Sequence, residues 1–105
     1  MGGLIAGGEF QQPLKEGADL MTGSTYKSFG GVPSGFILSN SAELAERLDK
    51  ITFPRLTTNF DLSRVDAMVI LILDLLTHSQ EYARTWTANA KVLTEALHKG
   101  GCEVF

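Results

Sequence analysis

The chain has little of what several function classes require. Cys102 is its only cysteine, so no internal disulfide and no cysteine-based zinc site can form. Lys and Arg together number 9 against 12 Asp and Glu, a formal net charge of −3. No basic excess is present to neutralise phosphates or to hold anionic lipid, which argues against nucleic-acid and membrane partners. The longest uncharged apolar run, Ala67 to Leu73, falls far short of the roughly 20 residues of a spanning helix. The opening residues have no cationic region and no long hydrophobic stretch of the kind a secretory signal carries, so the cytosol is the expected compartment. His78 and His98, the two histidines, stand twenty positions apart without acidic or cysteine partners at ligand spacing, and no metal is expected.

What is present is enough apolar material for one core: 44% of 105 residues, with no internal repeat and no low-complexity segment. Short runs at Ala18–Thr22 and Gly35–Ser39 are bounded by Gly, Ser and Pro and read as strands. Asn40 followed by Glu43 predicts a helix N-cap and a short helix over about Ser41–Asp49. Pro54 stops helix there, and residues 55–60 read as a loop.

From Asp61 or Ser63 as N-cap, Val65, Met68, Val69, Ile72, Leu73 and Leu76 recur at helical spacing, with Ile70, Leu71 and Leu75 adding apolar surface around the other side. Such a helix expects burial on more than one face. Thr77-His78-Ser79 interrupts the pattern, and a second helix through Tyr82, Trp86, Leu93 and Leu97 ends at Gly100-Gly101 as a C-cap. Residues 102–105 read as the start of a strand. Two strands, three helices and an unfinished strand do not make a closed α/β domain, and the pattern reads as an excerpt from a larger α/β fold.

Between the strands lies Gly23-Ser24-Thr25-Tyr26-Lys27-Ser28-Phe29-Gly30-Gly31-Val32-Pro33-Ser34. A lysine amine that is to attack a carbonyl must be available in its neutral form. Hydroxyls at Ser24, Thr25 and Ser28 can donate to a phosphate, and Gly23, Gly30, Gly31 and Gly35 let a flat ring approach the backbone. On composition alone the segment reads as a solvated lysine in a Ser/Gly loop. The carboxylate pairs Asp61/Asp66 and Glu43/Glu46 sit at helix starts, where the dipole favours them, and Tyr82/Trp86 have the spacing of packing partners. None of these is assigned chemistry. Cys102 has no base nearby to activate it.

A resemblance runs nearly end to end. Gly3-Leu4-Ile5-Ala6-Gly7-Gly8-Glu9-Phe10, Pro13-Leu14, Glu16-Gly17-Ala18-Asp19, Thr22-Gly23-Ser24-Thr25-Tyr26-Lys27 and the later Gly-Phe-Ile-Leu-Ser-Asn and Phe-Pro segments are similar, in order and spacing, to consecutive motifs of serine hydroxymethyltransferases. The resemblance implies part of the large pyridoxal-phosphate-binding domain of a fold type I enzyme, with two strands flanking the lysine loop and helices leading towards the small domain. Residues 1–60 would belong to the cofactor domain, and 61–105 would form a long helical segment linking to the C-terminal small domain.

It further implies that Lys27 carries pyridoxal 5'-phosphate, that Ser24 lines the active site and, by a weaker match to the motif, that Thr25 is cofactor-binding. Thr58 and Asn59 stand where the family uses a glycine pair to reach the cofactor phosphate of a neighbouring subunit. The parent would be a homodimer or homotetramer moving a one-carbon unit between a serine-like amino acid and tetrahydrofolate. The histidine that stacks on the cofactor and the aspartate that pairs with its pyridine nitrogen would fall ahead of Met1, and the early phosphate-binding segment and late substrate-carboxylate arginine would also lie elsewhere. Tyr26 replaces the family's histidine, the turn Val32-Pro33-Ser34 lacks its arginine, and the glycine pair is lost. These departures keep open an α-substituted serine as substrate, or an aldolase or aminotransferase on the same scaffold. From the residues alone, a non-catalytic module that self-associates through its apolar helix also stays open.

Overall fold

The computed structural model describes residues 1–59 and 61–104. Its elements in chain order are α1 (Gly2–Ala6), β1 (Met21–Ser24), β2 (Gly35–Leu38), α2 (Ala42–Ile51), a wide-wound turn over Thr52–Leu56, and α3 (Leu62–Lys99). The strands form one antiparallel hairpin with Met21 opposite Leu38, Thr22 opposite Ile37, Gly23 opposite Phe36 and Ser24 opposite Gly35. The fold is mixed α/β, and residues 25–34 are the connection of that hairpin.

Several expectations shift. β1 starts three residues later than the apolar run suggested, because the Ala18 amide turns back to the Pro13 carbonyl at 2.9 Å and the Asp19 carbonyl is taken by the Ser39 hydroxyl at 2.8 Å. Ser41, not Asn40, caps α2. Its hydroxyl accepts from the Leu44 amide at 3.3 Å, while Asn40 donates to the Leu14 carbonyl across the chain. Beyond α2 the backbone does not lapse directly into a loop. Thr57 sends both its amide and its hydroxyl back to the Thr52 carbonyl, closing one turn five residues wide around Pro54, which has no amide of its own to give.

The two expected C-terminal helices are one, 38 residues long. Thr77 does not break it, since its hydroxyl bonds the Leu73 carbonyl one turn back, and the aliphatic and aromatic positions on either side share a continuous backbone ladder. Asp61 is the N-cap. At the far end the Gly101 amide reaches the His98 carbonyl and the Cys102 amide reaches Leu97, both at 3.0 Å, with Gly101 at φ +83°. That is the paired closure of a Schellman motif, and it fulfils the Gly100-Gly101 expectation. Residues Cys102–Val104 pair with no strand among the described residues, and Phe105 lies outside them, as does Phe60 of the expected loop.

α1 falls in the Gly3–Gly8 motif, for which the residue pattern predicts no helix. It exists because Gly3 and Gly7, one turn apart, let its backbone settle on α3. A Cβ at Gly3 would collide with the Trp86 ring and with the Ser28 carbonyl oxygen, and one at Gly7 with the Ala83 Cβ. Ala83 is fully buried by this contact, the Ser79 hydroxyl donates to the Ala6 carbonyl, and Arg84 pairs with Glu9 at 3.1 Å.

Burial of α3 is one-sided. Leu75 is 7% exposed whereas Leu76, the next residue, is 78% exposed, and Val65, Val69, Ile70 and Leu73 are open as well. Among the described residues the all-round apolar pattern therefore meets partners on one face only, that of α1 and the hairpin. The radius of gyration, 17.2 Å, exceeds the roughly 13 Å of a compact chain of this length because the long helix projects beyond its small partners. No helix among the described residues is long and apolar enough to cross a membrane.

Candidate functional site

The hairpin connection is tightly framed. The Thr25 amide bonds the Ser34 carbonyl at 3.0 Å, closing the neck beyond the last strand pair, and the Gly31 amide returns to the Thr25 carbonyl at 2.6 Å. The Thr25 side chain is 1% exposed and donates its hydroxyl to the Val32 carbonyl. Between these ties the Gly30 amide closes a turn on the Lys27 carbonyl at 2.9 Å. A loop of ten residues thus has its own internal bonding.

Onto this frame α1 docks from the side. The Gly3 amide donates to the Ser28 hydroxyl at 3.3 Å, and Phe29 stacks in a tilted arrangement on Phe36 of β2 with centroids 5.4 Å apart. The far end of the loop is held by α3, whose Arg64 donates to the Pro33 carbonyl at 2.7 Å. Three elements therefore fix the position of Lys27: β1 before it, α1 against Ser28, and the first turn of α3 against Pro33.

Lys27 and Ser24 line a common open cleft of about 200 Å³, together with Thr22, Gly23, Ser28 and the start of α1. Met21, Ile5 and Phe36 supply its apolar wall. Among the described residues no carboxylate lines this cleft. The lysine amine is exposed and lies over the ring of Tyr26, 5.8 Å from its centroid. The arrangement offers a primary amine, three hydroxyls and a floor of glycine in one small space. Chemically that combination can bind an aldehyde carbon through the amine and donate hydrogen bonds to oxygens around it.

Of the residues singled out in the sequence, the structure brings Lys27 and Ser24 together. It directs the Thr25 hydroxyl into the loop's own frame rather than into the cleft. Thr58 and Asn59 are exposed beyond the wide turn that follows α2, and neither lines the cleft. Ser28 and Thr22 join the site by position, and Arg64 reaches the loop from thirty-one residues away. The Ser28 hydroxyl was visible in the sequence as loop chemistry, whereas Thr22 was read as the end of a strand and the Arg64 contact has no local signal. No group of three His, Cys, Asp or Glu is placed to hold a metal among the described residues.

A larger cleft of about 390 Å³ lies next to this one, between α1, the hairpin and α3. Met68, Ile72, Phe29, Leu38 and Gln12 are among its lining residues, and its walls are mainly apolar. It contains no titratable side chain, so the chemistry of the region is confined to the Lys27 side.

No family model matches the chain. Individual relatives do. The chain is 48% identical over 103 residues to an alpha-methylserine aldolase of Ralstonia sp., an alignment covering 98% of this chain and 24% of the relative. It is 45% identical over 102 residues to a serine hydroxymethyltransferase of Korarchaeum cryptofilum, covering 97% and 24%. An alpha-methylserine aldolase of Variovorax paradoxus is 44% identical over 105 residues, covering 100% and 24%. The chain spans about a quarter of the length of the curated relatives it matches, and along that stretch it is serine hydroxymethyltransferase-like.

Proposed function

We propose, from the premise of a chain that is serine hydroxymethyltransferase-like along its length, that it carries the cofactor lysine of a pyridoxal-phosphate enzyme acting on serine or an α-substituted serine. The observation that supports this best is the meeting of the Lys27 amine and the Ser24 hydroxyl in one cleft on a self-bonded loop. The donor set suits the group: the amine for its aldehyde carbon, hydroxyls for its polar substituents, and Gly23 and Gly2 among the lining residues where a flat ring needs room. Pyridoxal phosphate, when bound, supplies an electron sink for the pair released at the amino-acid Cα.

The residues of this chain have distinct tasks in that reading. Lys27 holds the cofactor and, once the amino group of the substrate takes its place, has an amine free to hold or move a proton at Nζ. Ser24 orients by hydrogen bonding. Thr25 keeps the loop in shape through Val32. Thr58 and Asn59, away from the Lys27 cleft, serve the cofactor phosphate of a neighbouring subunit in a homodimer or homotetramer of a cytosolic enzyme. Residues 1–60 then form part of the cofactor domain and 61–105 lead towards the small domain.

The reaction breaks the Cα–Cβ bond of the substrate. The β-hydroxyl loses its proton, the β-carbon leaves as formaldehyde, and Cα gains a proton, so that serine gives glycine and α-methylserine gives alanine. Tetrahydrofolate captures the one-carbon unit with loss of water in a hydroxymethyltransferase. In an aldolase the formaldehyde is released. The alpha-methylserine aldolases among the relatives favour keeping this second outcome in view.

The test uses the gene product carrying this sequence, incubated with pyridoxal phosphate and then serine or α-methylserine, with and without tetrahydrofolate. Borohydride reduction should leave the cofactor on Lys27, and Lys27→Ala should abolish both that label and formation of glycine or alanine. Label on another lysine, or undiminished turnover in Lys27→Ala, would remove the assignment. Dependence of product formation on tetrahydrofolate separates the transferase from the aldolase. The 105-residue chain by itself is expected to show no turnover, because groups for the ring nitrogen and the substrate carboxylate are not among those lining its cleft.

A further inference from the structure

We propose that Tyr26 is the resting dock of the Lys27 amine, holding its ammonium form over the ring face until a carbonyl ligand claims the nitrogen. Tyr26 is thereby a positioning residue for the reaction proposed above, and the functional part of this inference rests on that reading. Successive side chains on an extended strand point to opposite faces, so a tyrosine and the lysine after it do not ordinarily meet. Here the chain leaves β1 at Ser24 and bends through the Lys27–Gly30 turn, which brings Lys27 Nζ to 5.8 Å from the Tyr26 ring centroid. That is within the distance at which the negative face of an aromatic ring attracts a cation.

The residues around the pair are tied down while the pair itself is open. Thr25 is buried and bonded to Val32 and Ser34, Ser28 is held by the Gly3 amide, and Gly30 closes the turn. Tyr26 is 52% exposed. The ion pairs among the described residues involve other cations, Lys50, Arg64 and Arg84. With no carboxylate in the cleft among the described residues, the ring face is the electron-rich partner that the structure gives the Lys27 amine.

The chemical consequence follows from what each form of the amine can do. The π face attracts the charged amine only, whereas attack on an aldehyde carbon requires the lone pair of the neutral one. The ring therefore keeps a free Lys27 parked beside the cleft. An aliphatic side chain in place of Tyr26 removes that attraction without adding a charge.

The experiment uses the 105-residue chain, its Tyr26→Leu, Tyr26→Phe and Tyr26→Trp variants, and no turnover assay. Ring currents should displace the proton resonances of the Lys27 ε-methylene in the parent, Tyr26→Phe and Tyr26→Trp proteins, and not in Tyr26→Leu. In parallel, each protein is treated with pyridoxal phosphate and borohydride at neutral pH. The amine condenses with the aldehyde with loss of water, and hydride reduces the carbon–nitrogen double bond to a stable secondary amine. The rate of labelling at Lys27, referred to Lys91 on the exposed surface of α3, should rise about two- to fivefold in Tyr26→Leu and stay unchanged in Tyr26→Phe. Unchanged resonances or an unchanged labelling ratio in Tyr26→Leu overturns the proposal. Amide spectra matching the parent in each variant confirm that the loop is intact, and a loop altered in Tyr26→Leu alone leaves Tyr26→Phe against Tyr26→Trp to decide, since the larger ring should displace the Lys27 resonances further and a failure to do so overturns the dock. Loss of the enzymatic reading through an active Lys27→Ala would leave these two measurements standing, so the two failures are distinguishable.

Discussion

Arg64 of α3 donates to the carbonyl of Pro33 at 2.7 Å, and its Nε simultaneously pairs with Asp61 at 3.2 Å. One side chain thus joins the cap of the long helix to the far end of the loop that bears Lys27. Since the guanidinium is about half exposed, the ion pair alone contributes little, and the bond to a fixed carbonyl is the larger part. Arg64→Ala should destabilise the chain by about 1 kcal/mol, read as a shift in the urea midpoint, and should speed proteolysis between Gly31 and Ser34. Lysine at this position can reach the carbonyl or Asp61 but cannot fork between them, so Arg64→Lys should recover only part of the loss. Equal proteolysis rates in all three proteins would show that the clamp is idle.

Thr25 is expected to matter through its hydroxyl rather than its bulk. Thr25→Val keeps the shape but leaves the Val32 carbonyl without its donor in a place 1% exposed to water, at a cost of about 1–3 kcal/mol. Thr25→Ser keeps the donor and should lose less. Thermal unfolding of the two variants checks the order; Thr25→Val as stable as the parent would mean that the Val32 carbonyl finds water.

Gly3 governs the seat of α1. A methyl group there meets the Ser28 carbonyl and the Trp86 ring at once, and the backbone carbonyl cannot move aside as a flexible side chain could. Gly3→Ala should lift α1 off α3 and cost about 1–3 kcal/mol. Trp86 is the only tryptophan, so its emission reports the event directly: a red shift is expected as the ring becomes wetter. The Gly3 amide would also release Ser28, loosening the Lys27 cleft from the same change.

How far these features could be read in the sequence depends on how local their causes are. The caps at Asp61 and Gly100-Gly101 act within a few residues and were legible, as was β2, whose apolar run is bounded by glycine and serine. Lys27 and Ser24 line one cleft as near neighbours on the same hairpin connection. The continuity of α3 through Thr77-His78-Ser79 was not legible, because polar residues read as a break when the hydroxyl's return to Leu73 is unseen. α1 was hidden for the opposite reason. Glycine is a poor helix former, and only contact with Ser79, Ala83 and Trp86, some seventy-six residues away in the case of Gly7 and Ala83, makes it the right residue. The fate of the Thr25 hydroxyl and the reach of Arg64 are likewise tertiary facts.

The two ends of the pH range should separate two sites on α3. The Asp61 carboxyl is held below its ordinary value of 3.8, first by the Ser63 hydroxyl at 2.6 Å and the Ser63 amide at 3.1 Å; loss of hydration opposes them, and Arg64 adds a lesser lowering. Because the folded value is the lower one, the cap's contribution is complete above 3.8 and is lost as pH falls through the folded value. Tyr82 is shifted the other way, above 10.0, by partial burial first and then by the negative charge of Asp74, to which its hydroxyl donates at 3.4 Å, with Glu81 adding to it. Its contribution is complete below 10.0 and is lost as pH rises through the folded value. In a Tyr26→Phe background the phenolate absorbance belongs to Tyr82 alone, and Asp74→Asn should bring its titration back towards 10.0. The Ser63 amide resonance should follow Asp61 below pH 3.8 and cease to titrate in Asp61→Asn. If Asp74→Asn leaves the phenolate curve where it was, that carboxylate is not what holds the phenol neutral, and burial of the Tyr82 ring between His78 and Trp86, with Glu81, would have to account for the shift.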